Sequence, residues 1–161
     1  MKRIHKLIGA GLTLCPLIGL SVACSEDEDC SMTARPMMQC YLYTVHTESG
    51  LAEKCTLNVL TVTARGTDSV IVNRQQNVQD LSLPLCYTAD STELVLHYED
   101  DLTDTLIVRQ QNTPYFVSMD CGYQMKQVIT DISYTRHHLD SVHLSNPEAG
   151  IYGTENLKLF Y

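Results

Sequence analysis

The chain has 161 residues, which at roughly 100–200 residues per domain corresponds to a single domain. Acidic residues outnumber basic ones, 19 to 11, so the net charge is −8. A hydrophobic fraction of 44% is too high for an intrinsically disordered chain. Because the chain is acidic and has no Lys/Arg cluster, phosphate would repel it, which argues against nucleic acid as a partner.

The first 23 residues have the features of a secretory signal peptide. A basic start is followed by an uncharged apolar run from Leu7 to Ala23, which is marginal as a membrane span. The run ends Leu20-Ser21-Val22-Ala23-Cys24, which resembles the lipobox of bacterial lipoproteins. This resemblance implies cleavage before Cys24 and lipidation of Cys24. An ordinary secretory signal and an uncleaved transmembrane anchor are the alternatives.

An acidic segment, Ser25-Glu26-Asp27-Glu28-Asp29, directly follows Cys24. Its composition predicts a solvated tether over residues 24–29. It also resembles the export signal that sends lipoproteins of the Bacteroidota to the outer face of the outer membrane. We therefore expect an outer-membrane lipoprotein, lipid-anchored and exposed at the cell surface rather than facing the periplasm. The mature chain would carry a net charge of −11, so lipid rather than electrostatics must hold it to the membrane.

From Cys30 onward the pattern is typical of β-structure, because Thr, Val, Ile and Tyr are frequent and no long segment has helical periodicity. Short candidate strands alternate with turn residues. They are predicted at about Gln39–Thr47, Thr56–Arg65, Ser69–Asn73, Leu81–Leu85, Thr92–Tyr98, Thr103–Gln110, Tyr115–Asp120, Lys126–Arg136, Ser141–Ser145 and Asn156–Tyr161.

This order of strands predicts an all-β domain over residues 30–161, built as an antiparallel two-sheet β-sandwich. The strand at 56–65 is apolar on both faces, which favours a central position. Pro84 should confine its strand to an edge or a strand end. We expect a polar loop over Arg74–Asp80 and a turn at Asn112-Thr113-Pro114.

Five cysteines remain after Cys15 leaves with the signal and Cys24 is lipidated: Cys30, Cys40, Cys55, Cys86 and Cys121. In an oxidising compartment disulfides can persist. If one of the five thiols stays free and the other four form two disulfides, 15 pairings are available, and the residues alone do not distinguish among them. The absence of a Cys-x-x-Cys motif argues against a thioredoxin-like site or a zinc ribbon.

Several short motifs occur in an order that resembles a known family. They are Cys30, Arg35-Pro36, Asp68-Ser69, Leu83-Pro84-Leu85, Asp120-Cys121-Gly122, Thr135, Leu139-Asp140-Ser141, Asn146-Pro147 and the terminal Asn156-Leu157-Lys158-Leu159-Phe160-Tyr161. The chain resembles a domain-of-unknown-function family of small lipoproteins from Bacteroidota. The resemblance implies a β-sandwich, no known activity and a Cys30–Cys121 disulfide. Cys40, Cys55 and Cys86 depart from the family pattern and leave the number of disulfides open.

Two clusters of polar residues are candidate metal sites with a simpler interpretation as exposed turns. The first contains His137, His138, Asp140 and His143. The second contains Glu99, Asp100, Asp101 and Asp104, which lack the spacing of a known calcium loop. We expect no metal, no cofactor and no catalytic residues.

The sequence therefore predicts a non-enzymatic lipoprotein that acts as an accessory or binding subunit. An outer-membrane β-barrel protein is one partner that fits this role. The alternative is a carbohydrate- or ion-binding module at the cell surface. An exposed shelf formed by Tyr41, Tyr43, Tyr115 or Tyr123 would favour that alternative. A small hydrolase is a further hypothesis and would need a cleft with perturbed carboxylates or a Cys–His pair.

Overall fold

The computed structural model describes residues 30, 34–67 and 69–161. This part of the chain forms eleven β-strands and no α-helix, which confirms the predicted all-β class. The strands are β1 Met37–Val45, β2 Ala52–Lys54, β3 Leu57–Ala64, β4 Val70–Val78, β5 Asp80–Pro84, β6 Ser91–His97, β7 Thr103–Ser118, β8 Gly122–Tyr134, β9 Ser141–Leu144, β10 Glu148–Ala149 and β11 Glu155–Phe160. The predicted signal peptide (1–23), the lipidation site Cys24 and the tether lie outside the described residues.

The strands form two sheets. The first has the order β2-β1-β11-β9, with β5 also paired to β1, and the second has the order β10-β8-β7-β6-β3-β4. As predicted, β3 is a central strand and β5 ends at Pro84. Among the strand pairs of the described chain, β1–β11 is the one parallel pair.

One leucine-rich core lies between the two sheets. Alternate residues of each strand point inward, as the period of two for a half-buried strand requires. The first sheet contributes Met38, Cys40, Leu42, Leu81, Leu83, Leu157 and Leu159, and the second contributes Leu60, Val62, Val78, Leu94, Leu96, Leu106, Val108 and Ile129. The sheets therefore pack face to face as the predicted sandwich does.

The prediction of a loop over Arg74–Asp80 is wrong, because β4 continues to Val78. This strand is the outer edge of its sheet, so its polar side chains face solvent while its backbone pairs with β3. Arg74 and Asn77 have positive φ values of 45° and 53°, and the register with β3 shifts in the segment that contains Arg74. Polar composition here indicates an exposed edge rather than a loop.

The predicted turn at Asn112-Thr113-Pro114 is also wrong, since β7 runs through it as a single strand of 16 residues. Strand β6 pairs with β7 only as far as Arg109, so in the described chain β8 is the strand partner of the segment that contains Pro114. A proline lacks an N–H group and is tolerated where one side of a strand has no partner. Pro114 therefore does not end β7, which continues and forms one long hairpin with β8.

No helix in the described part of the chain is long and apolar enough to cross a membrane.

Candidate functional site

The β7–β8 hairpin extends past the rest of its sheet and ends in an exposed tip. The turn covers Met119–Cys121, and Gly122 follows it at a φ of 71°. The backbone N–H of Cys121 donates to Ser118 Oγ at 3.1 Å, which closes the turn. We call residues 115–123 the hairpin tip.

Large apolar side chains cover both faces of the hairpin tip. Phe116 lies directly opposite Tyr123, with ring centroids 5.4 Å apart in an edge-to-face arrangement. Tyr115 lies opposite Gln124 and, as the preceding residue on its strand, points to the other face. Met119 at the turn is 89% exposed and Tyr123 is 75% exposed. These exposed apolar groups make the hairpin tip a candidate interaction surface.

A buried amide network holds the base of the hairpin in place. Asn112 Nδ2 donates to the carbonyl oxygens of Cys86 at 3.0 Å and Ala89 at 2.9 Å. Gln127 Nε2 donates to Asn112 Oδ1 at 2.9 Å. Gln110 Nε2 also donates to the carbonyl of Ala89 at 3.0 Å. These bonds join both strands of the hairpin to the loop before β6, so the tip is carried on a rigid support.

A groove of about 320 Å³ lies beside the hairpin, where β10 ends. Its apolar lining comes from Pro36, Tyr115, Met125, Ala149, Ile151 and Tyr152. Lys126 Nζ and Glu148 Oε2 form an ion pair of 3.0 Å along its wall. The pairing of β10 with β8 covers Val128 and Gln127, so Met125 and Lys126 lie on an edge of β8 that β10 leaves uncovered.

The hairpin tip is covalently joined to the start of the domain. Cys30 and Cys121 form a disulfide with a Cα–Cα distance of 5.7 Å, the pairing that the family resemblance implied. The bond places the hairpin tip next to the residue that follows the predicted tether. The predicted lipidation site Cys24 itself lies outside the described residues.

Among the described residues the other three cysteines, Cys40, Cys55 and Cys86, are free. Cys40 is fully buried, and burial raises the pKa of its thiol. Burial also raises the pKa of Cys55. A hydrogen bond with the Thr88 hydroxyl is the largest cause of a lowered pKa at Cys86, and nearby Arg35 contributes to it. Cys86 is therefore the most reactive of these three thiols.

The predicted histidine cluster does not converge on one point. Nδ1 of His137 contacts the carbonyl of Thr103 at 2.6 Å, while the ring of His138 packs on Tyr98 with centroids 4.6 Å apart. Asp140 pairs with Arg136 at 2.9 Å, and His143 lies on β9 opposite Lys158. Within the described residues, no group of three or more His, Cys, Asp or Glu side chains is arranged to hold a metal ion.

The acidic cluster divides in the same way. Glu99, Asp100 and Asp101 are exposed at the β6–β7 turn, as expected, but Asp104 is fully buried. The interpretation of Asp104 as a solvated turn residue is therefore wrong. Its carboxylate accepts hydrogen bonds from the Thr135 hydroxyl and from three backbone N–H groups of the chain after β8.

Those three donors are the backbone N–H groups of His137, His138 and Leu139, at 2.7–2.9 Å. The Thr135 hydroxyl donates at 2.7 Å. Burial alone would raise the pKa of Asp104, but these hydrogen bonds outweigh burial and lower it. Asp104 thus fixes a loop and is not placed for acid–base chemistry.

The four tyrosines named for a carbohydrate shelf do not form a single surface. Tyr41 and Tyr43 lie on β1, where the Lys54 and Lys158 ammonium groups sit over their rings at 4.5 and 5.1 Å. The Tyr43 hydroxyl donates to Glu155 at 2.7 Å, and this bond is the main cause that raises the pKa of Tyr43 to about 12. Tyr115 and Tyr123 belong to the hairpin tip and lie on its opposite faces.

Sequence reasoning missed Phe116, Met119 and Tyr152 as surface residues of interest. The available signal was the run Tyr115-Phe116-Val117-Ser118-Met119, which leads into a turn with one charged residue, Asp120. Apolar residues that flank a turn on both sides are unusual in a solvated hairpin. Nothing in the sequence near Tyr152 indicates that it lines the groove, because β10 has only two residues.

Comparison with protein families identifies a match over most of the domain. The model of a family of unknown function (DUF6452) matches residues 59–161. No curated protein and no solved structure matches the chain. The matched segment contains the β7–β8 hairpin and most of the groove, and it excludes Cys30.

Proposed function

The chain belongs to the family of unknown function DUF6452, and from the geometry of this member we propose a non-enzymatic, outer-membrane-anchored lipoprotein that acts as a binding subunit. The observation that carries the proposal is the apolar groove beside the uncovered edge of β8. The groove adjoins the same end of the domain as Cys30, six residues after the predicted lipidation site. Lipidation at Cys24, as proposed, would hold the groove close to partners in the membrane.

An extended segment of a partner protein fits this groove best. The edge of β8 at Met125 is not covered by β10, and a peptide that displaces the 3.3 Å bond from the Met125 N–H to the Gln124 side chain can add there as a further strand in line with β10. The apolar lining accepts side chains from alternate positions of such a strand. The Lys126–Glu148 pair supplies one charge of each sign at the rim, which can orient the segment.

The residues that line the groove give little support for a catalytic reaction there. The lining contains one lysine and one glutamate, already paired with each other, and neither His nor Cys is part of it. Binding is therefore the activity that the groove supports. The carbohydrate-binding alternative has weaker support because the four tyrosines named for its shelf do not share one surface: Tyr41 and Tyr43 lie on β1, and Tyr115 and Tyr123 lie on opposite faces of the hairpin tip.

Site-specific photo-crosslinking tests the proposal. A photoreactive phenylalanine analogue replaces Tyr152, which is 74% exposed in the groove, and as a control it replaces Leu51, which is 64% exposed between β1 and β2. Irradiation of intact cells should give one defined protein adduct at position 152 and none at 51. Adding Ile151→Asp should reduce the adduct about tenfold, since a buried charge opposes apolar docking. Equal adducts at both positions, or none at either, would contradict the proposal.

A further inference from the structure

We propose that the hairpin tip, residues 115–123, contacts the lipid surface of the membrane to which the chain is anchored. The inference rests on the proposed lipid anchor at Cys24 and adds a second, non-covalent contact with the bilayer. It concerns the tip and not the groove, which is assigned above to a protein segment.

The length of the chain before the domain restricts where the hairpin tip can be. Six peptide units join Cys24 to Cys30, so a fully extended tether reaches at most about 22 Å. The disulfide then places the Cα atom of Cys121 within 5.7 Å of that of Cys30. Since Cys121 lies in the turn of the hairpin, its Cα atom cannot lie farther than about 28 Å from that of the proposed lipidation site Cys24.

The residues of the hairpin tip suit a bilayer interface. Tyr and Phe side chains favour the boundary between headgroups and acyl chains. There the ring can be buried, and the Tyr hydroxyl can stay in contact with water. From Pro114 to Met125 the one charged residue is Asp120. The narrow hairpin presents Phe116 and Tyr123 on one face and Tyr115 on the other.

Tyr115 on one face lines the groove, so the apolar surface left for lipid is the Phe116–Tyr123 pair on the other face together with Met119 at the turn. The strong negative charge of the mature chain excludes electrostatic attraction to anionic lipids as the cause of contact. The contact should therefore form with zwitterionic lipids and persist at high salt.

Tryptophan fluorescence tests the proposal directly because the chain contains no Trp. The Tyr123→Trp variant introduces one fluorophore at the hairpin tip. The Leu102→Trp variant places the control fluorophore at the opposite end of β7, where Leu102 is 42% exposed. Both are prepared as lipidated proteins and reconstituted into zwitterionic vesicles whose acyl chains are brominated or unmodified.

Emission from the Tyr123→Trp variant should shift to the blue and lose most of its intensity in brominated vesicles, while emission from Leu102→Trp should not change. No quenching in a protein that still floats with the vesicles would overturn the lipid contact and leave the anchor intact. A protein that does not float with vesicles would instead overturn the anchor. A blue shift seen in native membranes but not in pure lipid would assign the hairpin tip to a protein partner and likewise overturn the proposal.

Discussion

At the scale of single residues, Asp104 is a buried carboxylate that holds a loop in place. It is fully buried and accepts four hydrogen bonds that hold the chain between β8 and β9. The Asp104→Asn variant would turn an amide N–H₂ group toward backbone N–H donors. We expect the free energy of unfolding to fall by about 2–4 kcal/mol, measured by chemical denaturation at pH 7.

The pH dependence of this effect has a definite sign. The folded-state pKa of Asp104 is lowered from its usual value, so its carboxylate stabilises the fold above the unfolded pKa of about 3.9. The stabilisation is lost as pH falls from there through the folded pKa. The difference in free energy of unfolding between wild type and Asp104→Asn should therefore shrink below about pH 4.

Asp100→Asn, in the exposed β6–β7 turn, is the control and should change the free energy of unfolding by less than about 0.5 kcal/mol. A constant difference across this pH range would show that the charge of Asp104 is not what stabilises the loop.

At the scale of elements, the sequence correctly predicted the strands in which apolar residues alternate. It misjudged segments whose structure depends on which other strands pair with them. Strand β3 could be placed at the centre because both its faces are apolar. The Pro114 turn could not be rejected, because whether proline is tolerated depends on which side of β7 has a partner strand. Asp104 was misplaced because its donors lie more than thirty residues away in the chain. Two tyrosines of the hairpin tip, Tyr115 and Tyr123, were named from the sequence. The groove could not be predicted, because its lining depends on where β10 lies.

The β7–β8 hairpin carries the prediction that belongs to this scale. The Cys30–Cys121 bond joins residues 91 apart in sequence and restricts the unfolded chain accordingly. Replacing both cysteines, Cys30→Ser with Cys121→Ser, should lower the free energy of unfolding by about 2–5 kcal/mol. Cys86→Ser removes a thiol that the structure leaves free, so a change within about 0.5 kcal/mol is expected of this control.

Peptide mapping under non-reducing conditions identifies the bond independently of stability. A linked pair of peptides containing Cys30 and Cys121 is expected from the wild-type protein. Recovery of Cys121 joined to Cys40, Cys55 or Cys86 would contradict the pairing, whatever the stability of the variants.

At the scale of the whole molecule, the two ends of the domain are used for different purposes. The parallel pairing of β11 with β1 places the last strand of the chain at the centre of its sheet, where Leu157 and Leu159 complete the core. The hairpin tip, the groove and the disulfide lie instead at the end next to the tether. The hairpin tip, the groove and the disulfide thus lie together, and under the proposed anchoring this end of the domain would lie next to the membrane.

Anchoring through Cys24 is the prediction on which this arrangement depends. Replacing residues 1–24 with a cleavable secretory signal that lacks a lipobox should release the domain into the soluble fraction. The reason is that the lipid proposed at Cys24 would be lost, and the acidic chain is not attracted to anionic lipids. The matched control carries a different lipoprotein signal in front of the same Cys24 and should stay with the membrane through a high-salt wash. Mass spectrometry of the N-terminal peptide should show acyl chains on Cys24 in the control alone. If the form without Cys24 remains in the washed membranes, then contacts of the domain itself hold it there, and lipid at Cys24 is not required.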